Sequence, residues 1–175
     1  MGTAKLTLTL LRHGEAQPID SCPEDFERAL TKRGTAQAKE MGARIAHRRL
    51  IPDLILVSPA ERAWTTASLV AAACELDAKQ IQCARELYLA EPETIWRLVT
   101  QRHANLTHVL VCGHNPGLSQ VASRLGPKLQ ARDLPTAGLA TAVWQGSTAS
   151  WASLQPETAH SCEFDDPDHI PDPWE

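Results

Sequence analysis

The sequence predicts an α/β fold, a mainly parallel sheet with helices on both faces. Three observations carry that prediction. Apolar stretches of strand length stand at residues 5–11, 54–57 and 107–112, and the second, Leu54-Ile55-Leu56-Val57, is unbroken, as in a strand buried on both sides. Segments of helical spacing separate the stretches, an alternation that yields parallel strands joined by right-handed crossovers. Each stretch runs into a polar or turn-forming set, Arg12-His13-Gly14, Ser58-Pro59 and Gly113-His114-Asn115-Pro116, which marks the carboxyl end of a strand.

Taken in order, the first strand carries Leu6, Leu8, Leu10 and Leu11. Residues 17–27 hold Pro18, Asp20, Ser21, Pro23, Glu24 and Asp25 and read as a loop. A helix follows over 31–48, with Thr31 as N-cap and Ala36, Met41 and Ile45 on its apolar stripe. After the second strand, Ser58 is suited to cap a helix with Pro59 at its first position and Leu69, Val70 and Ala73 further along. Residues 81–84 form a short strand candidate, and a helix from 92 to 103 turns Ile95, Trp96 and Val99 inward. Beyond the third long strand, Asn115 as N-cap and Pro116 at the first position start a helix that runs to about Leu125. A further strand runs from Leu134 through Ala140, Ala142 and Trp144, and residues 151–154 are expected to return beside it as an antiparallel edge.

A chain of 175 residues with 43% hydrophobic and 22% charged side chains suits one globular domain, placed at 1–156. No apolar run approaches the roughly 18 residues of a membrane span, and the N-terminus shows no signal-peptide pattern. Five cysteines, odd in number and without a Cys-x-x-Cys pair, suit free thiols in a reducing compartment, so a cytoplasmic protein is expected.

The net charge of −4 is unevenly spread. Residues 157–175 carry seven of the 21 acids and no lysine or arginine, which leaves 1–156 with 14 acids against 17 basic residues, net +3. Such a body suits an anionic substrate but is too weakly basic for a nucleic-acid binder. The acidic segment 157–175 reads as a loosely held tail. A sharper alternative lays it on the basic face near Arg12 and Arg62, anchored by Phe164 and Trp174.

The chemistry concentrates at the strand ends. Arginine grips phosphate oxygens as a fork, a neutral imidazole is a nucleophile, and Gly14 lets the backbone turn sharply. Arg62 stands within about a turn of a helix N-terminus, where a cation opposes the helix dipole, which suggests placement for a ligand. His114 adjoins another helix start, an anion-favouring position. A parallel sheet gathers Arg12, His13, Arg62 and His114 on one edge.

Four motifs in order then carry a resemblance. Arg12-His13-Gly14-Glu15-Ala16, Leu30-Thr31-x-x-Gly34, Ser58-Pro59-x-x-Arg62-Ala63-x-x-Thr66-Ala67 and Gly113-His114-Asn115-Pro116-Gly117 resemble the histidine phosphatase superfamily. The short length and Pro135-Thr136-Ala137-Gly138 resemble its SixA-like phosphohistidine phosphatase branch. The likeness spans residues 6 to 144 and implies a small phosphoglycerate mutase-like domain without the lid insertions of larger relatives.

The resemblance implies His13 as nucleophile and a phosphohistidine intermediate that water hydrolyses. It implies Arg12, Arg62 and His114 as catalytic phosphate ligands, with Gly14 and Asn115 helping to hold the group. Many relatives carry an acidic proton donor after the third strand, and Glu86 stands at about that place. No metal and no cofactor is implied, since the arginines supply positive charge. The leading reading is a phosphohistidine phosphatase acting on a phosphorylated protein. A small-molecule phosphomonoesterase or nucleotide phosphatase acting on a phosphorylated metabolite is the alternative. A non-catalytic phosphate-binding module is disfavoured by the four intact residues. No nucleic-acid or membrane partner is expected, and the oligomeric state is left open.

Overall fold

A computed structural model describes residues 4–101, 105–126, 129, 133–146 and 149–169. Among the described residues the strands are β1 (Ala4–Arg12), β2 (Leu54–Val57), β3 (Ile81–Cys83), β4 (His108–Gly113), β5 (Leu139–Gly146) and β6 (Ser161–Asp165). The α-helices among the same residues are α1 (Lys32–His47), α2 (Glu61–Ala73), α3 (Pro92–Thr100) and α4 (Gly117–Leu125). One sheet has the order β3-β2-β4-β1-β5-β6. The first four strands are parallel, and β5 and β6 add an antiparallel edge. The α/β class and the mainly parallel sheet are therefore as the sequence predicts.

The period of two sorts the strands onto two cores. Leu8, Leu10, Leu54, Leu56, Val109 and Val111 face one way and pack with Ile95, Val99, Leu118 and Val121 of α3 and α4. Leu11, Ile55, Val57, Leu110 and Cys112 face the other way and pack with Met41, Ile45, Ala67 and Val70 of α1 and α2. Leu8 is fully buried; truncating such a leucine to alanine costs about 2–5 kcal/mol.

Several local expectations shift. Thr31 caps α1 as read, its hydroxyl accepting from the Gly34 N–H at 2.9 Å. Ser58 does not cap α2, which starts at Glu61 after Ala60; its hydroxyl is taken by His114. Asn115 likewise leaves the cap of α4 to Pro116, because its side chain bonds Ser119 and the Leu134 carbonyl. Residues 17–27 are not all irregular: they contain two 3-10 turns, Ile19–Ser21 and Asp25–Glu27.

The largest correction concerns the C-terminal segment. Residues 151–154 do not form the partner of β5; Trp151–Ser153 is a 3-10 turn that buries Trp151. The partner is β6, drawn from the segment read as a loose tail, so the sheet continues past 156 to Asp165. Three acids of that segment pair with arginines, and none of those arginines stands at the strand ends. Glu157 pairs with Arg124, Asp168 with Arg33, and buried Asp165 with Arg44 at 2.8 Å and Arg48 at 3.0 Å. Phe164 packs against the α3–α4 core. Ile170 and Trp174 lie outside the described residues.

Candidate active site

β2, β4 and β1 are adjacent and parallel, with Val57 opposite Cys112 and Gly113 opposite Arg12. That register brings Arg12-His13, the start of α2 and His114 to one edge. Arg12, His13, Arg62, His114 and Asn115 line a cavity of about 590 Å³, together with Asp25, Arg28 and Tyr88. The four basic residues singled out by sequence are thus together.

Two glycines allow the approach. A Cβ on Gly14 would lie 2.5 Å from the Gly34 carbonyl oxygen, and one on Gly34 would overlap the Glu15 carbonyl. The loop after β1 and the first turn of α1 therefore touch backbone to backbone, which accounts for the Thr31-x-x-Gly34 pattern. The Gly14 N–H donates to Thr66 Oγ1 at 3.0 Å, and Thr66 donates to the Arg62 carbonyl at 2.7 Å. Gly14 thereby ties the loop after β1 to α2, and its amide is spent on Thr66 rather than turned to the cavity as expected.

The tautomer of His13 is set by its surroundings. Nδ1 donates to the Gly14 carbonyl at 2.7 Å, because a carbonyl only accepts, and this leaves the lone pair on Nε2. Arg62 Nε donates to that lone pair at 3.3 Å. Burial, then the charges of Arg62, Arg12 and Arg28, lower the His13 pKa to about 4 against the opposing Gly14 bond. The ring is neutral at physiological pH, as a nucleophile requires.

Arg62, only 2% exposed, is the second residue of α2. Its guanidinium is clamped by Asp25: NH1 donates to the Asp25 carbonyl at 2.6 Å and NH2 to Oδ2 at 2.8 Å. Tyr88 donates to the same Oδ2 at 2.8 Å, and Arg28 Nε donates to Oδ1 at 2.9 Å. Burial raises the Asp25 pKa, but the Tyr88 and Arg62 bonds and the charges of Arg62 and Arg28 outweigh it and bring it to about 2. Asp25 is therefore an ionised group in the cavity wall. Sequence reading missed both Asp25 and Tyr88 as site residues; a lone carboxylate in a Pro- and Asp-rich loop carries no periodic signal.

His114 Nε2 meets Ser58 Oγ at 2.7 Å, while its Nδ1 is buried without a hydrogen-bond partner. Burial, then His13 and Arg62, lower its pKa to about 3. Arg12 donates through NH1 to the Leu134 carbonyl at 2.8 Å, and its buried Nε has no partner. Two orphaned polar atoms at one cavity are unusual in a native interior and mark groups held for a ligand. Asn115 donates to the same Leu134 carbonyl at 2.9 Å. The segment around Pro135-Thr136-Ala137-Gly138 thus buttresses the site: Ala137, at φ 57°, also donates its N–H to the His13 carbonyl.

Glu86, like Gly14, is a predicted site residue that does not line the cavity. It sits in the 3-10 turn Arg85–Leu87, half-exposed, 3.7 Å from Arg97, and does not line the cavity. The turn buries Leu87 and directs Tyr88 to the site, which leaves Glu86 outward. Among the described residues no cluster of three His, Cys, Asp or Glu side chains could hold a metal ion.

The model of the histidine phosphatase superfamily (branch 1) matches residues 8–110. The chain belongs to that superfamily. A candidate phosphohistidine phosphatase SixA from Agrobacterium tumefaciens is 32% identical, with a TM-score of 0.71 over 78% of this chain and 90% of its own. A candidate SixA from Nakamurella multipartitia is 24% identical, with a TM-score of 0.73 over 94% and 96%. The protein histidine phosphatase SixA complexed with tungstate is 22% identical, with a TM-score of 0.70 over 86% and 100%. No curated protein matches significantly by sequence. In this member of the superfamily the edge strand β6 lies beyond the span of the family model, which ends within β4. Among the described residues no helix is long and apolar enough to cross a membrane.

Proposed function

We propose that this histidine phosphatase is a metal-independent phosphohydrolase with His13 as nucleophile and a protein-borne phosphohistidine as substrate. One observation carries the nucleophile: the Nδ1 bond to Gly14 leaves the lone pair on Nε2, where it accepts from Arg62 Nε until a bound phosphoryl group takes that donor. In this reading Nε2 attacks phosphorus in line, the leaving group departs with its electron pair, and a phosphohistidine forms. Water then attacks phosphorus and the P–N pair returns to Nε2. Arg12 and Arg62 neutralise the equatorial oxygens, and the open Nδ1 of His114 supplies a further hydrogen bond.

The acidic groups support the substrate class. Asp25 is ionised at neutral pH, Glu86 is outside the cavity, and Glu15, which lines it, is held by the Thr31 hydroxyl at 2.8 Å and by Arg33 at 3.4 Å, so none is placed to protonate a leaving alkoxide. A phosphorylated imidazole carries its own proton on the second nitrogen and leaves neutral, whereas an alcohol leaves well only with a donated proton. The 32% identical relative bears a phosphohistidine phosphatase name, which agrees. A cavity of about 590 Å³ also admits a small phosphorylated metabolite, the second reading. A panel of histidine-phosphorylated peptide, sugar phosphates and nucleotides separates the two. The peptide is expected to show the highest kcat/KM, and a metabolite ester exceeding it would overturn the substrate assignment.

A further inference from the structure

Among the described residues five large apolar side chains are exposed: Ile19, Phe26, Ile51, Trp64 and Leu89. Ile19, 65% exposed, and Leu89, 53% exposed, both line the active-site cavity. Phe26 follows Asp25 and meets Tyr88 edge-on with ring centroids 5.3 Å apart, so it stands beside two lining residues. Single exposed apolar residues are ordinary on a protein surface. Three of five around one opening, above a floor of two arginines, form a pattern.

The three come from separate segments. Ile19 begins one 3-10 turn, Phe26 is the centre of another, and Leu89 follows the turn Arg85–Leu87. Leu89 has a φ of 48°, a backbone region that glycine or asparagine adopts readily and leucine seldom does. Its neighbours Leu87 and Ala90 are buried in the core while Leu89 points to solvent, so packing does not explain the leucine. A side chain kept at a strained, exposed position at the mouth of a site suggests a role in what enters it.

We propose that Ile19, Phe26 and Leu89 form a docking rim for a protein segment whose phosphorylated side chain is flanked by apolar residues. This rests on the phosphohistidine reading above. The phosphoryl group descends to Arg12 and Arg62, and the flanking side chains cover the rim, so apolar contact surrounds a charge-paired centre. The occupant is a protein segment because a peptide brings a side chain on each side of its phosphorylated residue to cover a rim drawn from three separate segments, whereas a sugar phosphate, polar throughout, has nothing to lay on it.

The test uses two synthetic peptides of equal length bearing one phosphohistidine, flanked on both sides by leucine in one and by serine in the other. The intact chain and its Ile19→Ser/Leu89→Asn double variant are each assayed on both. Both substitutions fall on exposed side chains, and asparagine tolerates the backbone at 89. In the unsubstituted chain kcat/KM is expected to be about tenfold higher for the leucine-flanked peptide, about 1.4 kcal/mol. That ratio is expected to fall to within about twofold in the variant. The ratio is read within each enzyme, so a general loss of activity cancels. Equal hydrolysis of both peptides by the unsubstituted chain, or a ratio that survives in the variant, would overturn the rim while leaving the phosphohistidine reading in place. Hydrolysis of an aryl phosphate with neither peptide turned over would overturn that reading and the rim with it.

Discussion

Buried histidines stand at both ends of β4. His108 opens the strand and His114 follows its last residue, beside His13 at the end of β1. All three rings are buried, and burial is the first cause that lowers each pKa, to about 4 for His108 and His13 and about 3 for His114. The difference is in their partners. His108 Nε2 meets Thr9 Oγ1 at 2.9 Å, and Thr9 meets Thr141 across the β1–β5 pair at 3.1 Å, so its polar atoms are absorbed by the sheet. His114 keeps a buried Nδ1 without a partner, and His13 turns a lone pair toward an arginine. A lowered pKa therefore does not set the two ends of β4 apart; the partners do, a sheet threonine at His108, an arginine donor at His13 and none at His114 Nδ1.

The strongest way to break this contrast is to remove His13. His13→Ala deletes the proposed nucleophile, and kcat on an aryl phosphate is expected to fall at least about a thousandfold, roughly 4 kcal/mol of barrier. Thermal unfolding at pH 7 should still show one cooperative transition. A rate within about tenfold of the unsubstituted chain would remove the distinction between the two ends.

The opposite end sharpens the contrast through stability. Between pH 6.5 and about 4 the unfolded chain binds protons that the folded His108 refuses. Its contribution is full above pH 6.5 and is lost as pH falls toward 4, on the order of 3 kcal/mol. His108→Gln should shrink the difference in unfolding free energy between pH 7 and pH 4, measured by urea denaturation. At pH 7 its kcat/KM should stay within about twofold. An unchanged pH dependence, or a large loss of activity, would contradict the structural role.

Two smaller effects concern the carboxylates. Asp25 holds the Arg62 guanidinium that we propose binds phosphate, so Asp25→Asn should lower the inhibition constant of inorganic phosphate roughly two- to fivefold at low salt, and less as salt screens the site. A weaker inhibition in the variant would mean that Asp25 acts mainly by holding Arg62 in place. Glu86→Gln, a change at a half-exposed side chain outside the cavity, should alter rates on alkyl and aryl phosphates by less than about twofold. A selective loss on alkyl phosphates would restore Glu86 as a proton donor.

What sequence reading reached follows from where the physics is periodic. Strand-length apolar runs located β1, β2 and β4, and topology alone placed Arg12, His13, Arg62 and His114 together. Features resting on side-chain partners across the chain were not legible. Ser58 and Asn115 have the chemistry of helix caps, but long-range bonds to His114 and Leu134 claim them. Asp25 and Tyr88 reach the site from irregular segments. β6 was hidden because its acids read as a solvated tail, until the pairing of Asp165 with Arg44 and Arg48 made burial of a carboxylate tolerable.

The nucleophile itself is open to direct capture. The chain would be mixed with an aryl phosphate, quenched in alkali within milliseconds to seconds, and digested for mass spectrometry. A phosphoryl group on the His13 peptide, stable in base and lost in mild acid, is the expected result, since a P–N bond is labile to acid. Rapid turnover with no phosphate on His13 at any quench time, or phosphate on another residue, would contradict a covalent mechanism through this imidazole.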